Sequence, residues 1–337
     1  MNAAVETEHL THAYGERVAL DDLSLRVDTG EVFGLLGPNG SGKTTLFRIL
    51  STLIPAPPGK VTILGSDPSD PAGRELVRRQ IGVVFQSPSL DKQLTAEENL
   101  LHQGHLYGLR GPELKSRVAD ALARFGLADR ARERAETFSG GMRRRVEVAK
   151  GLLHRPRVLL MDEPSTGLDP AARIDLWKTI RDVSGREGDG GATPGGITVL
   201  VTTHLLEEAE RCDRLAILDR GRLLACDTPA ALKRRIGGDV ITVTTSQPAA
   251  VRQALRDKLG VEPAEVDGAL RLERDRGHEF VPQLIEAAPG LIDSVSVGKP
   301  TLEDVFIDLT GQRLRNEPPP EAQQRRRRVR AASNRNR

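Results

Sequence analysis

Period-two alternation opens the chain. In THAYGERVALDDLSLRV the apolar residues Val18, Leu20, Leu23, Leu25 and Val27 stand among polar and turn residues, which predicts an antiparallel region over residues 1 to about 35. The alternation then gives way to short apolar runs: EVFGLLG at 31–37, IGVVF at 81–85, RVLLMD at 157–162, ITVLVTT at 197–203 and LAILD at 215–219. Runs without alternation predict strands of a parallel sheet covered on both faces. Between Leu94 and Leu153 the period becomes helical, with Met142, Val146, Ala149 and Leu153 at spacings of four, three and four. A helical subdomain, about 87–155, is expected as an insertion in an α/β core. After Gly237 the pattern restarts with VITVTT, the helix VRQALRDKLG, short strands and the helix LEDVFIDLTG. The expected division is therefore 1–236, a small C-terminal α+β domain at 237–312, and a tail at 313–337.

Composition adds limits to this picture. Residues 185–196, GREGDGGATPGG, hold six glycines in twelve positions and are expected as a flexible surface excursion. The tail has almost no apolar residues and is expected to be disordered. Its seven arginines from Glu321 onward lack interleaved aromatics, so they support nonspecific electrostatics and no specific nucleic-acid partner. The whole chain is nearly balanced, with 49 Lys+Arg against 47 Asp+Glu, which excludes a global drive toward polyanions. Two cysteines, Cys212 and Cys226, are too few for a disulfide framework. No apolar stretch reaches the roughly 18–20 residues of a spanning helix, and the N-terminus carries no signal core.

Chemistry enters at the turn after EVFGLLG. Gly37–Thr44, GPNGSGKT, matches GxxxxGK[ST] between a buried strand and a helix, where glycines let backbone N–H groups turn toward phosphate oxygens. Gly37, Pro38, Asn39, Gly40, Ser41, Gly42, Lys43, Thr44 and Thr45 are the candidate cradle. Lys43 is expected on the β and γ phosphates of ATP, with Thr44 on Mg²⁺. RVLLMDE supplies carboxylates beside it: Asp162 for the metal and Glu163 as general base toward the attacking water. Further along, Ser139 and the N–H groups of Gly140 and Gly141 open a second helix that can bind an anion.

Taken in order, these motifs make residues 5 to about 235 resemble the ATP-binding cassette (ABC) family. The resemblance covers Tyr14 (A-loop), 37–45 (Walker A), Gln86 (Q-loop), 139–142 (signature), 158–163 (Walker B), STGLD at 165–169 (D-loop) and His204 (switch histidine). Met142 departs from the glutamine most common in the family, and SGGM followed by arginines is similar to the drug-export branch. The resemblance implies an α/β P-loop NTPase cassette with an antiparallel β subdomain and an inserted helical subdomain. It implies Tyr14 against adenine, Gln86 touching metal and water, His204 at the γ-phosphate and Asp169 at a dimer interface. It also implies a head-to-tail dimer of two copies, each ATP lying between Walker A of one and the signature of the other.

With one cassette and no apolar span, the expected role is the ATPase subunit of an exporter, at the cytoplasmic face of the membrane, working with a separate ABC-2-type permease. PTLEDVFIDLTG at 300–311 resembles daunorubicin-resistance ATP-binding subunits, so export of a drug-like compound leads over export of lipid or polysaccharide. Non-transport ABC ATPases fit less well: no sustained heptads lie between Walker A and the signature, and there is a single cassette.

Overall fold

The computed structural model describes residues 2–185 and 196–314. The glycine-rich stretch 186–195 and the arginine-rich tail lie outside the described residues. The chain divides into two compact units, residues 1–223 and residues from 224 onward. The sequence pattern places its division later, at 236.

In chain order the first unit holds β1 (Ala3–Tyr14), β2 (Arg17–Asp28), β3 (Val32–Leu36), α1 (Lys43–Leu50), β4 (Val61–Ile63), α2 (Pro71–Gln80) and β5 (Ile81–Val84). Three helices follow, α3 (Ala96–Leu106), α4 (Gly111–Arg124) and α5 (Gly140–Leu152). The chain then returns through β6 (Val158–Asp162), α6 (Pro170–Ser184), β7 (Thr198–Thr203), α7 (Leu206–Ala209) and β8 (Arg214–Asp219) to β9 (Arg222–Asp227), inside which the division falls.

β1 pairs antiparallel with β2 on one side and β4 on the other, as the alternation predicts. Leu20, Leu23, Leu25 and Val27 are buried, while Val18, beside the hairpin turn, is 51% exposed. The second sheet runs β5-β6-β7-β3-β8-β9, and its pairings β5/β6, β6/β7, β7/β3 and β3/β8 are parallel. Every residue of β3, β6 and β7 is buried, which is why these strands read as unbroken apolar runs. One core joins the sheet to the helices, with Leu100, Leu114, Val118 and Phe125 clustering with Leu159, Met161, Val199 and Val201. Parallel register sets Asp162 beside Thr202 and Leu36 beside Thr203, so the loops after β3, β6 and β7 emerge at one edge. Such an edge is where open α/β sheets bind ligands.

The second unit contains α8 (Pro229–Lys233), β10 (Asp239–Thr244), α9 (Pro248–Leu259), β11 (Ala264–Val266), β12 (Ala269–Arg274), α10 (Gly277–Ala287), β13 (Ser294–Gly298) and α11 (Leu302–Thr310). From β10 to β13 this is a β-α-β-β-α-β ferredoxin-like arrangement, strand order β11-β12-β10-β13 with antiparallel neighbours. Val251, Leu255, Leu284 and Ala287 of the two helices bury Ile241, Val243, Leu270 and Leu272 of the sheet. Among the described residues no helix is long and apolar enough to cross a membrane.

Candidate active site

The turn from β3 into α1 depends on glycine at two positions. A Cβ on Gly37 would stand 2.3 Å from the Leu218 carbonyl oxygen; Gly42 has φ +104°, and its Cβ would meet the Ala19 carbonyl at 2.7 Å. Gly42 is the N-cap of α1, which has no side-chain cap and no acidic residue in its first turn. The free N–H groups of such a helix start favour an anion. Lys43 is buried, and its Nζ donates to the carbonyls of Gly37 (2.6 Å) and Pro38 (3.0 Å). Burial pulls the Lys43 pKa down, while the charges of Glu163 and Asp162 push it back up. Ser41 Oγ is buried without a hydrogen-bond partner among the described residues. This loop gathers N–H donors, a cation and an unsatisfied hydroxyl, a fit for phosphate.

Two carboxylates close the end of β6. Asp162 is buried and accepts from the Thr202 hydroxyl of β7. Burial raises its pKa from the ordinary aspartate value; Glu163 adds to that, while Thr202, Lys43 and Arg48 oppose it. Glu163 has φ +42°, an uncommon conformation for a side-chain-bearing residue. Its N–H is held by the Thr202 carbonyl at 3.1 Å and the Thr202 hydroxyl at 3.0 Å. Burial works to raise the Glu163 pKa, but the His204 ring, Lys43 and Thr166 together leave it below the ordinary value. Gln86 Nε2 donates to Glu163 Oε2 at 2.9 Å, and His204 Nδ1 stands 3.2 Å from Oε1 without hydrogen-bond alignment. A carboxylate kept ionised and flanked by an amide and an imidazole can accept a proton from water.

A cleft of about 390 Å³ is lined by Tyr14, Asn39, Gly40, Gly42, Lys43, Thr44, Thr45 and Glu163; of the groups at the ends of β5, β6 and β7 it reaches Glu163, while Asp162, Gln86 and His204 do not line it. Tyr14 is 46% exposed, with its ring 4.8 Å from His12 in edge contact, so a flat group can meet its open face. Arg17, Ala19 and Arg48 also line the cleft and were not singled out from the sequence. Arg48 follows Thr44 by one helical turn, a spacing that could have marked it. Thr202 carries no sequence signal, because parallel register alone brings it to Asp162 and Glu163.

Ser139, Gly140, Gly141 and Asp169 do not line this cleft. Ser139 is the N-cap of α5 and accepts from Met142 N at 3.2 Å. A Cβ on Gly141 would meet Ala172 Cβ of α6 at 2.8 Å. Asp169 caps α6 by accepting from Ala172 N at 2.9 Å.

Comparison with known proteins fits this arrangement. The ABC transporter family model matches residues 20–166. The chain is 38% identical over 328 residues to the daunorubicin resistance ATP-binding protein DrrA2 of Streptomyces coeruleorubidus, covering 95% of this chain and 98% of that protein. It is 37% identical over 319 residues to the Nod factor export ATP-binding protein I of Sinorhizobium fredii, covering 94% of this chain and 88% of that one. A dimeric ATP-binding cassette solved in a post-hydrolysis state with ADP and Pi is 27% identical, with a TM-score of 0.57 over 66% of this chain and 98% of that one. The fold is thus that of an ATP-binding cassette. The chain belongs to the ABC transporter family, as an ATP-binding protein that hydrolyses ATP.

Proposed function

We propose that this chain is the ATPase subunit of an exporter for a drug-like compound, acting at the cytoplasmic membrane face through a separate permease of the ABC-2 type. The observation that carries the reading is the cleft in which the β3–α1 loop, Tyr14 and Glu163 converge. Its working domain is 1–236, with 237–312 a C-terminal domain and 313–337 a tail. Adenine stacks on Tyr14, and the phosphates lie on Gly37–Thr45 with Lys43 turned from its own carbonyls toward them. Glu163 is the base, with Gln86 and His204 holding the water and the γ-phosphate.

Mg²⁺ fits the donors present. Among the described residues there is no group of three or more His, Cys, Asp or Glu suited to a metal, so the protein offers no all-protein cage. Magnesium needs none, since it keeps waters and phosphate oxygens and takes only one or two protein carboxylates. Asp162 would be that carboxylate, with Thr44 and Gln86 completing the set that would hold the ion. When bound, the ion supplies positive charge against the phosphate oxygens.

Ser139, Gly140, Gly141 and Asp169 act on ATP held by a second copy, in a head-to-tail dimer. The exposed start of α5 at Ser139 and Gly140, which shares no hydrogen bond with Lys43 or Glu163 among the described residues, supports this. A groove of about 810 Å³ lined by Leu53, Leu106 and Tyr107 supports the permease partner. These three side chains are 57%, 83% and 37% exposed, and clustered exposed apolar groups call for a covering partner. Daunorubicin-resistance and Nod-factor-export relatives, at 38% and 37% identity, both point to export of a bulky organic compound. The test is light scattering of Glu163→Gln with and without Mg-ATP, followed by co-purification with membrane proteins. A nucleotide-dependent dimer and capture of one integral membrane protein are expected. A chain that stays monomeric with ATP and captures none removes the proposal.

A further inference from the structure

Helix α5 carries a buried ion pair that no role above uses. Arg144 and Glu147 are 7% and 4% exposed, and Arg144 Nη1 donates to Glu147 Oε2 at 2.7 Å. The guanidinium also binds backbone from two different loops. Nε donates to the Pro164 carbonyl at 2.6 Å, and Nη1 donates to the Phe85 carbonyl at 2.7 Å. Pro164 directly follows Glu163, and Phe85 directly precedes Gln86. Glu147 extends the clamp, its Oε1 accepting from Ser89 N at 2.6 Å. The two clamped loops are the ones whose side chains meet in the Gln86–Glu163 hydrogen bond.

Stability alone is a poor account of this pair. Desolvating two charges consumes most of their attraction, and apolar residues of similar volume commonly serve as well or better. Here the cost is higher still, because Arg144 Nη2 is buried with no hydrogen-bond partner among the described residues. What the planar fork offers, and an apolar side chain does not, is fixed direction toward several oxygens at once.

We propose that Arg144, held in place by Glu147, is a positioning residue for hydrolysis: it ties the loop bearing Gln86 to the loop bearing Glu163 and so sets their approach. Because Arg144 lies on the helix that begins at Ser139, it also links the two functional ends of one chain. This rests on the roles proposed for Glu163 and Gln86.

The experiment compares single-turnover ATP hydrolysis, ATP affinity and melting temperature in full-length wild type, Arg144→Met/Glu147→Leu, Arg144→Lys and Glu163→Gln. The double variant removes both charges together, which spares the cost of a lone buried ion, but it also takes the partners from the Pro164 and Phe85 carbonyls and the Ser89 N–H, so it is expected to fold with a melting temperature moderately below wild type. Its ATP Kd should stay within about twofold, while hydrolysis falls roughly a hundredfold, the scale of a small misplacement of reacting groups. Arg144→Lys keeps the charge and reaches fewer acceptors, so its rate should be intermediate. If the double variant hydrolyses at the wild-type rate while Glu163→Gln is slow, Arg144 is structural and the proposal fails. If its rate and ATP affinity collapse together, general damage replaces positioning and the proposal fails as well. Wild-type hydrolysis by Glu163→Gln instead overturns the underlying reading of the site.

Discussion

Two helices of the first unit begin on glycine-rich turns, and they begin in opposite ways. At α1 the N-cap is glycine with no side chain to cap the helix, a lysine is folded back onto loop carbonyls, and a buried serine hydroxyl lacks a partner among the described residues. At α5 the N-cap serine satisfies its own helix through Met142 N, and the turn is largely exposed. The first start holds unsatisfied polarity within the chain, facing two carboxylates. The second is locally satisfied, and its hydroxyl can be exchanged for a phosphate oxygen at little cost when one is presented. In the proposed head-to-tail dimer, the difference lets one chain hold a nucleotide at α1 and lend α5 to the nucleotide of its partner.

The sharpest way to break this comparison is at Glu163. Glu163→Gln keeps size and one acceptor oxygen but removes the proposed base, so hydrolysis should slow by about 10²- to 10⁴-fold. ATP affinity should be nearly unchanged, because Lys43 and the loop N–H groups are intact. Single-turnover rates beside equilibrium binding separate the two quantities. A parallel fall in both would show that Glu163 organises the cleft rather than the water.

Next comes the α5 start. Ser139→Arg should cost about 10²- to 10³-fold in turnover, the range for losing a donor to transition-state charge. Nucleotide binding to the single chain should be spared, since Ser139 is outside the cleft. Lys43→Ala should act on binding: a charge-assisted hydrogen bond is worth about 1.5–3 kcal/mol, or roughly 10- to 100-fold in Kd. Mixing the two variants assembles one site from undamaged halves, and partial recovery of turnover is expected. No recovery at any ratio would mean that both starts serve the same nucleotide.

How far these starts could be read in advance depends on how local their causes are. The loop at 37–45 and the cap at Ser139 are consecutive residues, so their conformations are written in adjacent glycines and hydroxyls. Asp162 and Glu163 were legible because a buried strand ends there. Thr202 was not, since it reaches Glu163 only through the parallel pairing of β6 and β7. Arg144 was missed for a similar reason: in sequence it is one of three arginines, and only the packed helix directs it to Phe85 and Pro164. The ferredoxin-like order of the second unit also depends on non-local pairing, which composition does not encode.

The smallest expected effect concerns titration, where the two regions differ again. Around α1 the shifts oppose, with Asp162 raised chiefly by burial and Glu163 lowered by its partners against burial. Beyond the far end of α5 stands His154, stacked on Tyr107 with ring centroids 3.7 Å apart and Nε2–H donating to the Ile81 carbonyl at 2.9 Å. Burial lowers its pKa, Arg117 lowers it further, and the Ile81 carbonyl only partly offsets them. A histidine depressed in the folded state remains neutral where the unfolded chain, with a pKa of about 6.5, takes up a proton. Its contribution to stability is therefore fully present above about pH 6.5 and is lost as pH falls from there toward the folded value. Melting temperatures of the wild type between about pH 5 and 8 should decline on the acid side of that point. His154→Gln, which can still donate to Ile81 but does not titrate, should flatten the acid limb while lowering the plateau through loss of the ring stack. An unchanged acid limb in the variant would place the titrating group elsewhere.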